Sequence, residues 1–240
     1  MGLLSSPALK HVGRFGPKFR PDANTVLWLP GQKDPFGSQL TDESGKKNHG
    51  TITGSVWAKT PKGLSYVLMD GDDKITIAND ASLNMGAGDF SIAFWWNSSS
   101  VAGIQQVLAK LDAGSPFEGY SFRTANISGR MSFNQNPDSI IAEEALNVND
   151  GIWRLFHGTY DASDGVAGMK LYRNGAEVAS AAAVATNIDN ANSLFIGVAQ
   201  DGASFPVTGA SPLVTIWKGV VRTAEQCAGD FRQERGLFGV

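Results

Sequence analysis

The chain has 240 residues, of which 42% are apolar, 18% are charged and 28 are glycine, with a net charge of -3; that is apolar matter enough for a sizeable core and too little charge for a disordered chain. The single cysteine, Cys227, excludes an internal disulfide and, lacking a Cys or His cluster around it, a zinc or dithiol redox centre. Four cations fall in the first 20 residues, which hold no acid, so the rest carries 16 basic against 23 acidic side chains and is a poor partner for nucleic acid.

Residues 1–24 read as an extended basic arm. Pro7, Pro17 and Pro21 with Gly13 and Gly16 interrupt any helical or strand period, and Lys10, Arg14, Lys18 and Arg20 are the arm's candidate contacts with a neighbouring subunit. No apolar run approaches the roughly 20 residues that span a bilayer. The opening residues lack the basic n-region of a signal peptide. A membrane partner is therefore not expected, and the sequence assigns no compartment.

From Thr25 the pattern is that of short strands separated by turns. Val26 to Leu29 form an apolar run closed by Pro30-Gly31, and Asp42 to Gly50 is turn-rich. Alternation over Lys74 to Ile77 and over Phe90 to Trp96 places Ile92, Phe94 and Trp96 on one face. Further strands are expected at 106–110, 119–123, 130–133, 152–160, 169–173, 193–197 and 213–218, with Asn174-Gly175 marking a tight hairpin. Only Thr223 to Arg235 has a helical pattern, with Thr223 and Gln226 at capping-box spacing. The six tryptophans are expected to fill the space between two sheets. The whole is one all-β domain, 25–240, preceded by the arm.

Several segments in order carry a family resemblance. Asp42-Glu43-Ser44-Gly45-Lys46-Lys47-Asn48-His49-Gly50, Leu68 to Ile77 with its Asp70-Gly71-Asp72-Asp73 centre, and Ser82-Leu83-Asn84 with Gly88-Asp89-Phe90-Ser91-Ile92-Ala93-Phe94-Trp95 resemble successive pieces of laminin-G-like domains of the concanavalin A-like lectin-glucanase superfamily. Trp153 to Asp161, Leu171 to Gly175, Leu194 to Gly197 and Ile216-Trp217 follow in the family's order. The resemblance implies a two-sheet antiparallel jelly-roll sandwich with a short C-terminal helix and ligand loops at one edge. Members often bind glycans or other proteins.

The same superfamily holds glycoside hydrolases, which need two carboxylates about 5 to 9.5 Å apart. No Glu-x-Asp-x-x-Glu run occurs here, and Glu143-Glu144 would face opposite ways on a strand. There is no Gly-x-Ser-x-Gly elbow, and His11, His49 and His157 are scattered, with His157 expected as a packed strand residue. No catalytic residue is assigned, and no cofactor is required. Asp70, Asp72 and Asp73 form a dense acidic loop that could offer carboxylates to a structural calcium. In the pentraxin branch a Gly is followed by a calcium-ligating Glu-Gln-Asp; here Gly197-Val198-Ala199-Gln200-Asp201 keeps the Gln and Asp but has Ala199 for the Glu, which argues against a two-calcium site.

Two functions are carried forward. The first is a non-catalytic structural or assembly protein, such as a capsid-decoration or tail-appendage component of a phage virion, whose partners are copies of itself or other viral structural proteins. The second is a carbohydrate-binding or adhesion module, with loop residues Asp72, Asp73, Asp112, Gln200 and Asp201 as its candidate ligand contacts and a glycan as partner.

Overall fold

In the computed structural model, residues 16–240 are described except 34, 102, 113, 115–116, 126–128 and 137–139. Arm residues Lys10, Arg14 and His11 lie outside the described residues. The strands are β1 (Thr25–Leu29), β2 (Gln39–Leu40), β3 (Gly50–Thr53), β4 (Val56–Lys59), β5 (Ser65–Asp70), β6 (Lys74–Ile77), β7 (Phe90–Trp96), β8 (Gln105–Leu111) and β9 (Gly119–Thr124). They continue with β10 (Arg130–Asn136), β11 (Ile140–Asn147), β12 (Arg154–Tyr160), β13 (Met169–Arg173), β14 (Ala176–Ala181), β15 (Leu194–Ile196), β16 (Thr208–Gly209) and β17 (Val214–Lys218), followed by the helix α1 (Ala224–Phe238).

Two antiparallel sheets face each other. One has six strands in the order β1-β17-β7-β12-β13-β14; the other has eight, β11-β10-β9-β8-β15-β6-β3-β2; a small ribbon β16-β5-β4 flanks them. The core between the sheets comes from alternate residues: Phe90, Ile92, Phe94 and Trp96 from β7 meet Tyr120, Phe122, Met131 and Phe133 from β9 and β10. Phe122 and Phe133 stack at 4.6 Å, and Phe94 meets Phe122 edge-on at 4.9 Å. Gly158 on β12 lets the sheets close on these rings: a Cβ there would lie 2.4 Å from the Phe122 ring edge.

The outer face of the six-stranded sheet is covered too. Trp28, Trp95 and Leu155 form a second apolar cluster with Leu237 and Phe238 of α1. This corrects the expectation that all six tryptophans lie between the sheets: only Trp96 belongs to the inter-sheet core, and Trp57 packs half-buried at its edge. Trp95 and Trp96 point to opposite faces, and both are fully buried because α1 roofs the outer one. The helix starts where its sequence signal puts it. Thr223 accepts from the Gln226 N–H while Gln226 caps Thr223 in return, and Gly239 in a left-handed conformation ends the helix.

The turn-rich segment after β2 is a buried clasp. Asp42 accepts hydrogen bonds from the backbone N–H groups of Trp28, Ser44 and Asn48 at 2.8–2.9 Å and from the Ser44 hydroxyl. Asn48 donates to the Val26 carbonyl and Ser82 Oγ, tying the loop to β1. Residues 16–24 run against this same region, and Phe19 packs edge-on against Trp28 and Trp217 at 4.9 and 5.6 Å. Phe19 thus docks on the chain's own body, while Lys18 and Arg20 beside it are exposed.

Candidate functional site

Four of the five loop residues singled out by sequence come together at one end of the eight-stranded sheet. Asp70, Asp72 and Asp73 occupy the β5–β6 turn, with carboxylate oxygens within 4.8 Å of one another. Asp73 is buried, and its Oδ2 accepts from the Asp70 N–H at 2.9 Å, which closes the turn. Gly54 admits that carboxylate, since a Cβ there would sit 2.0 Å from Asp73 Oδ1. Gln200 and Asp201 lie in the neighbouring 199–204 loop, which Lys74 Nζ ties to β6 through the Gly202 carbonyl at 2.7 Å. The Ser204 hydroxyl and the amides of Ser204 and Ala203 bond the Asp201 carboxylate and hold it below the usual carboxylate range.

Asp112 is elsewhere. The Gln105 end of β8 accepts from the Thr208 N–H near this rim, whereas the Leu111 carbonyl at the other end accepts from Asn192. Seven residues of strand, about 20 Å, separate the two ends. The three carboxylates supply part of the roughly six to eight oxygens that calcium takes, and Asp73 among them also accepts from the Asp70 amide.

The surface that sequence reasoning missed is the outer face of the same sheet. Register places Asn134, Ser121, Ala109, Phe195, Thr76 and Thr51 side by side across six adjacent strands. A second row runs Glu143, Ser132, Arg123, Gln106, and the Gln106 N–H extends it by donating to the Phe205 carbonyl at 2.8 Å. All these residues alternate with core residues, so they point away from the sandwich interior. Small or amide side chains make the floor: Ser132, Ser121, Asn134 and Gln106 are 1–4% exposed. A register shift at Gln106 turns its Nε2 onto the Leu108 and Phe122 carbonyls, at 3.1 and 2.9 Å, and no described donor reaches its Oε1. Asn134 Nδ2 is held by Ser132, and Asn134 Oδ1 is buried without a partner.

Phe205 stands at the margin of this floor. Its φ of 52° is a left-handed value that a bulky residue rarely adopts, and the residue is 47% exposed. Arg123 is half-buried, and among the described residues no acceptor bonds its guanidinium. Lys74 is tied to Gly202, and Arg130 reaches Glu143 at 3.6 Å.

A Cys-His-Asp grouping does exist, but under α1. His157 Nε2 lies 3.1 Å from Asp230 Oδ2, which Arg222 also bonds. His157 is wholly buried, which pushes its imidazole below its ordinary value against the pull of Asp230, and burial pushes the Cys227 thiol up to about 12. A protonated, covered thiol and a covered imidazole offer no path to substrate; the grouping holds the helix to the sheet. Glu143 and Glu144 face opposite ways, toward Arg130 and Arg173.

This architecture is that of a known class. A sequence model described as the concanavalin A-like lectin/glucanases superfamily matches residues 69–227, and the chain belongs to that family. A search of curated proteins returns no match. Among solved structures, the chain is similar to the binding domain of Paraclostridial mosquitocidal protein 1, at TM-score 0.67 and 15% identity over 87% of this chain and 52% of the other. It is also similar to a botulinum neurotoxin type C structure described through that toxin's dependence on two ganglioside molecules for cell entry, at 0.65 and 16% over 87% and 51%. Domain 4 of AbnA, a GH43 extracellular arabinanase from Geobacillus stearothermophilus, in complex with arabinotriose, aligns at 0.60 and 16% over 86% and 98%. The chain thus spans about half of each toxin structure and matches the arabinanase domain as a unit. At these identities the likeness is one of fold.

Proposed function

We propose that this chain is a non-catalytic recognition module that binds a glycan across the outer face of its eight-stranded sheet. The observation that carries the reading is the floor itself: in-register Asn134, Ser121, Ser132 and Gln106, with Phe195 and the exposed Phe205 at its side. Amides and hydroxyls in a fixed row suit sugar hydroxyls, and a flat ring beside them suits the apolar face of a sugar. The arabinotriose-bound arabinanase domain supports this reading, as does the binding role of the toxin domains. The comparisons weigh toward recognition and away from the virion-assembly role that sequence reasoning put first, since none of the neighbours named here is a virion component. Gln200 and Asp201 would wall the floor on one side, with Asp72 and Asp73 beyond them and Asp112 at the far end.

The test is a glycan array probed with the full chain and with Ser121→Phe, which would fill the floor, beside Asp72→Asn and Asp112→Asn. Binding abolished by the floor variant and kept by the other two is the expected result. Binding that survives Ser121→Phe but is lost with Asp72→Asn would move the site to the rim, and silence across the array would remove the glycan reading.

A further inference from the structure

We propose that this floor selects a sugar bearing a carboxylate, a hexuronate or sialate residue, and that Arg123 is its specificity-determining group; the inference rests on the glycan-binding reading above. Of the cations on the outer face, Lys74 and Arg130 already have partners, the Gly202 carbonyl and Glu143. Arg123 has none among the described residues, yet it is half-buried between Ser132 and Gln106, both nearly inaccessible. A partly desolvated guanidinium without a counter-charge gains more from an incoming anion than a fully solvated one, and its planar fork matches a carboxylate with two parallel hydrogen bonds.

The neighbours define what else the ligand must carry. Gln106 has spent its amide N–H groups on backbone carbonyls, which leaves its Oε1 as the acceptor beside Arg123, while Asn134 Oδ1 is unpartnered but buried. Acceptors favour hydroxyl donors and repel a second anion. Phe205 is bonded through its carbonyl to Gln106, which pairs with Arg123 in register. Ring and guanidinium are therefore rooted two strand spacings apart, about 10 Å, with the Gln106 amide between them. A ring-stacked sugar with one carboxylate directed at Arg123 satisfies all three groups.

Of the carboxylates near this face, Glu143 is paired, the β5–β6 turn is distant, and Asp201 in the 199–204 loop is turned into hydrogen bonds with Ser204 and Ala203. Glu143, two strands from Arg123 in the same row, faces Arg130. The acidic turn Asp70 to Asp73 adjoins β6, three strands from β9. That is about 14 Å away, beyond a physiological Debye length of about 8 Å.

The experiment is titration calorimetry of the full chain with an oligogalacturonate and a sialyllactose, each beside its neutral counterpart, an oligogalactose and lactose. The two acidic probes separate the hexuronate from the sialate source. At least one acidic probe should bind about tenfold or more tighter than its neutral counterpart, and Arg123→Gln should erase that preference without weakening the neutral ligand. Arg123→Lys should keep part of it, and added salt should weaken only the acidic ligand. Equal affinity for the acidic and neutral members of both pairs, or an undiminished preference in Arg123→Gln, overturns the proposal while leaving the glycan reading in place. Binding by none of the four probes overturns the proposal, and the array result then decides the broader reading. Should Arg123→Gln not fold, the selectivity of Arg123→Lys and the salt dependence decide the same question.

Discussion

Trp95 and Phe238 lie ring on ring, with centroids 4.0 Å apart and planes 20° from parallel, and the same indole donates its N–H to Glu234 Oε2 at 2.8 Å. The C-terminal helix is thus held by an aromatic stack and a buried carboxylate together. Burial pushes the Glu234 carboxyl up to about 7, only partly offset by the Trp95 hydrogen bond.

An acid whose folded pKa exceeds its unfolded one binds more protons in the native state. Its contribution to stability is full below the unfolded value of 4.5 and is lost as pH rises through about 7. His157, pushed down by burial, acts in the opposite sense, losing stability as pH falls below its ordinary value. Glu234→Gln removes the first effect and leaves the second. Relative to the parent, the variant should gain roughly 2 to 3 kcal/mol between pH 4.5 and pH 8. Urea unfolding at both pH values checks this; an identical difference at the two would sink it.

Asp42→Ala should cost at least about 3 kcal/mol, because three backbone N–H groups and a hydroxyl lose their shared acceptor in a buried loop. The check is the shift of the denaturant midpoint at unchanged m-value. A change below about 1 kcal/mol would mean that water replaces the carboxylate.

Lys110 is an inward-pointing ammonium at the end of β8, held by Asn79 Oδ1, the Asn190 carbonyl and Oδ1, and the Asn192 carbonyl at 3.0–3.2 Å. Lys110→Met leaves Asn79 Oδ1 and the Asn190 and Asn192 carbonyls without this donor, Asn190 Oδ1 keeping only the Asn192 N–H, and should destabilise by about 3 kcal/mol. Hydrogen exchange should quicken first around residues 189–192; protection there equal to the parent's would refute the pinning role.

Excess chelator should leave the melting temperature unchanged, since Asp73 closes the β5–β6 turn through the Asp70 amide. A drop of several degrees, restored by calcium, would reinstate the metal at Asp70, Asp72 and Asp73.

Most of the sandwich could be read from the chain because its strands alternate: Tyr120 and Phe122 against Ser121 and Arg123, Met131 and Phe133 against Ser132 and Asn134. β3 carries one large apolar side chain, Ile52, and β4 has no buried residue, so neither shows an apolar alternation. β14 is rich in alanine, a poor strand former, and exists because Asn174-Gly175 folds it back on β13. β11 hides behind Glu143-Glu144, whose charges are answered by arginines from other strands. The burial of Trp95 on the outer face is not legible locally because that face is covered by α1, far along the chain. The acidic rim was visible as a local cluster. The floor was not, because Asn134, Ser121, Phe195 and Thr76 become neighbours only through registers between strands remote in sequence, and each alone looks like an ordinary solvated position.

The helix that roofs the six-stranded sheet also sets a direction. With that side closed by Phe231, Leu237 and Phe238, the proposed floor looks out on the face opposite α1, as a palm does. Anchoring it to a bead or sensor through an exposed helix residue such as Arg232 would point every palm outward. Clustered copies would then grip a polymer by avidity even where one copy holds it weakly.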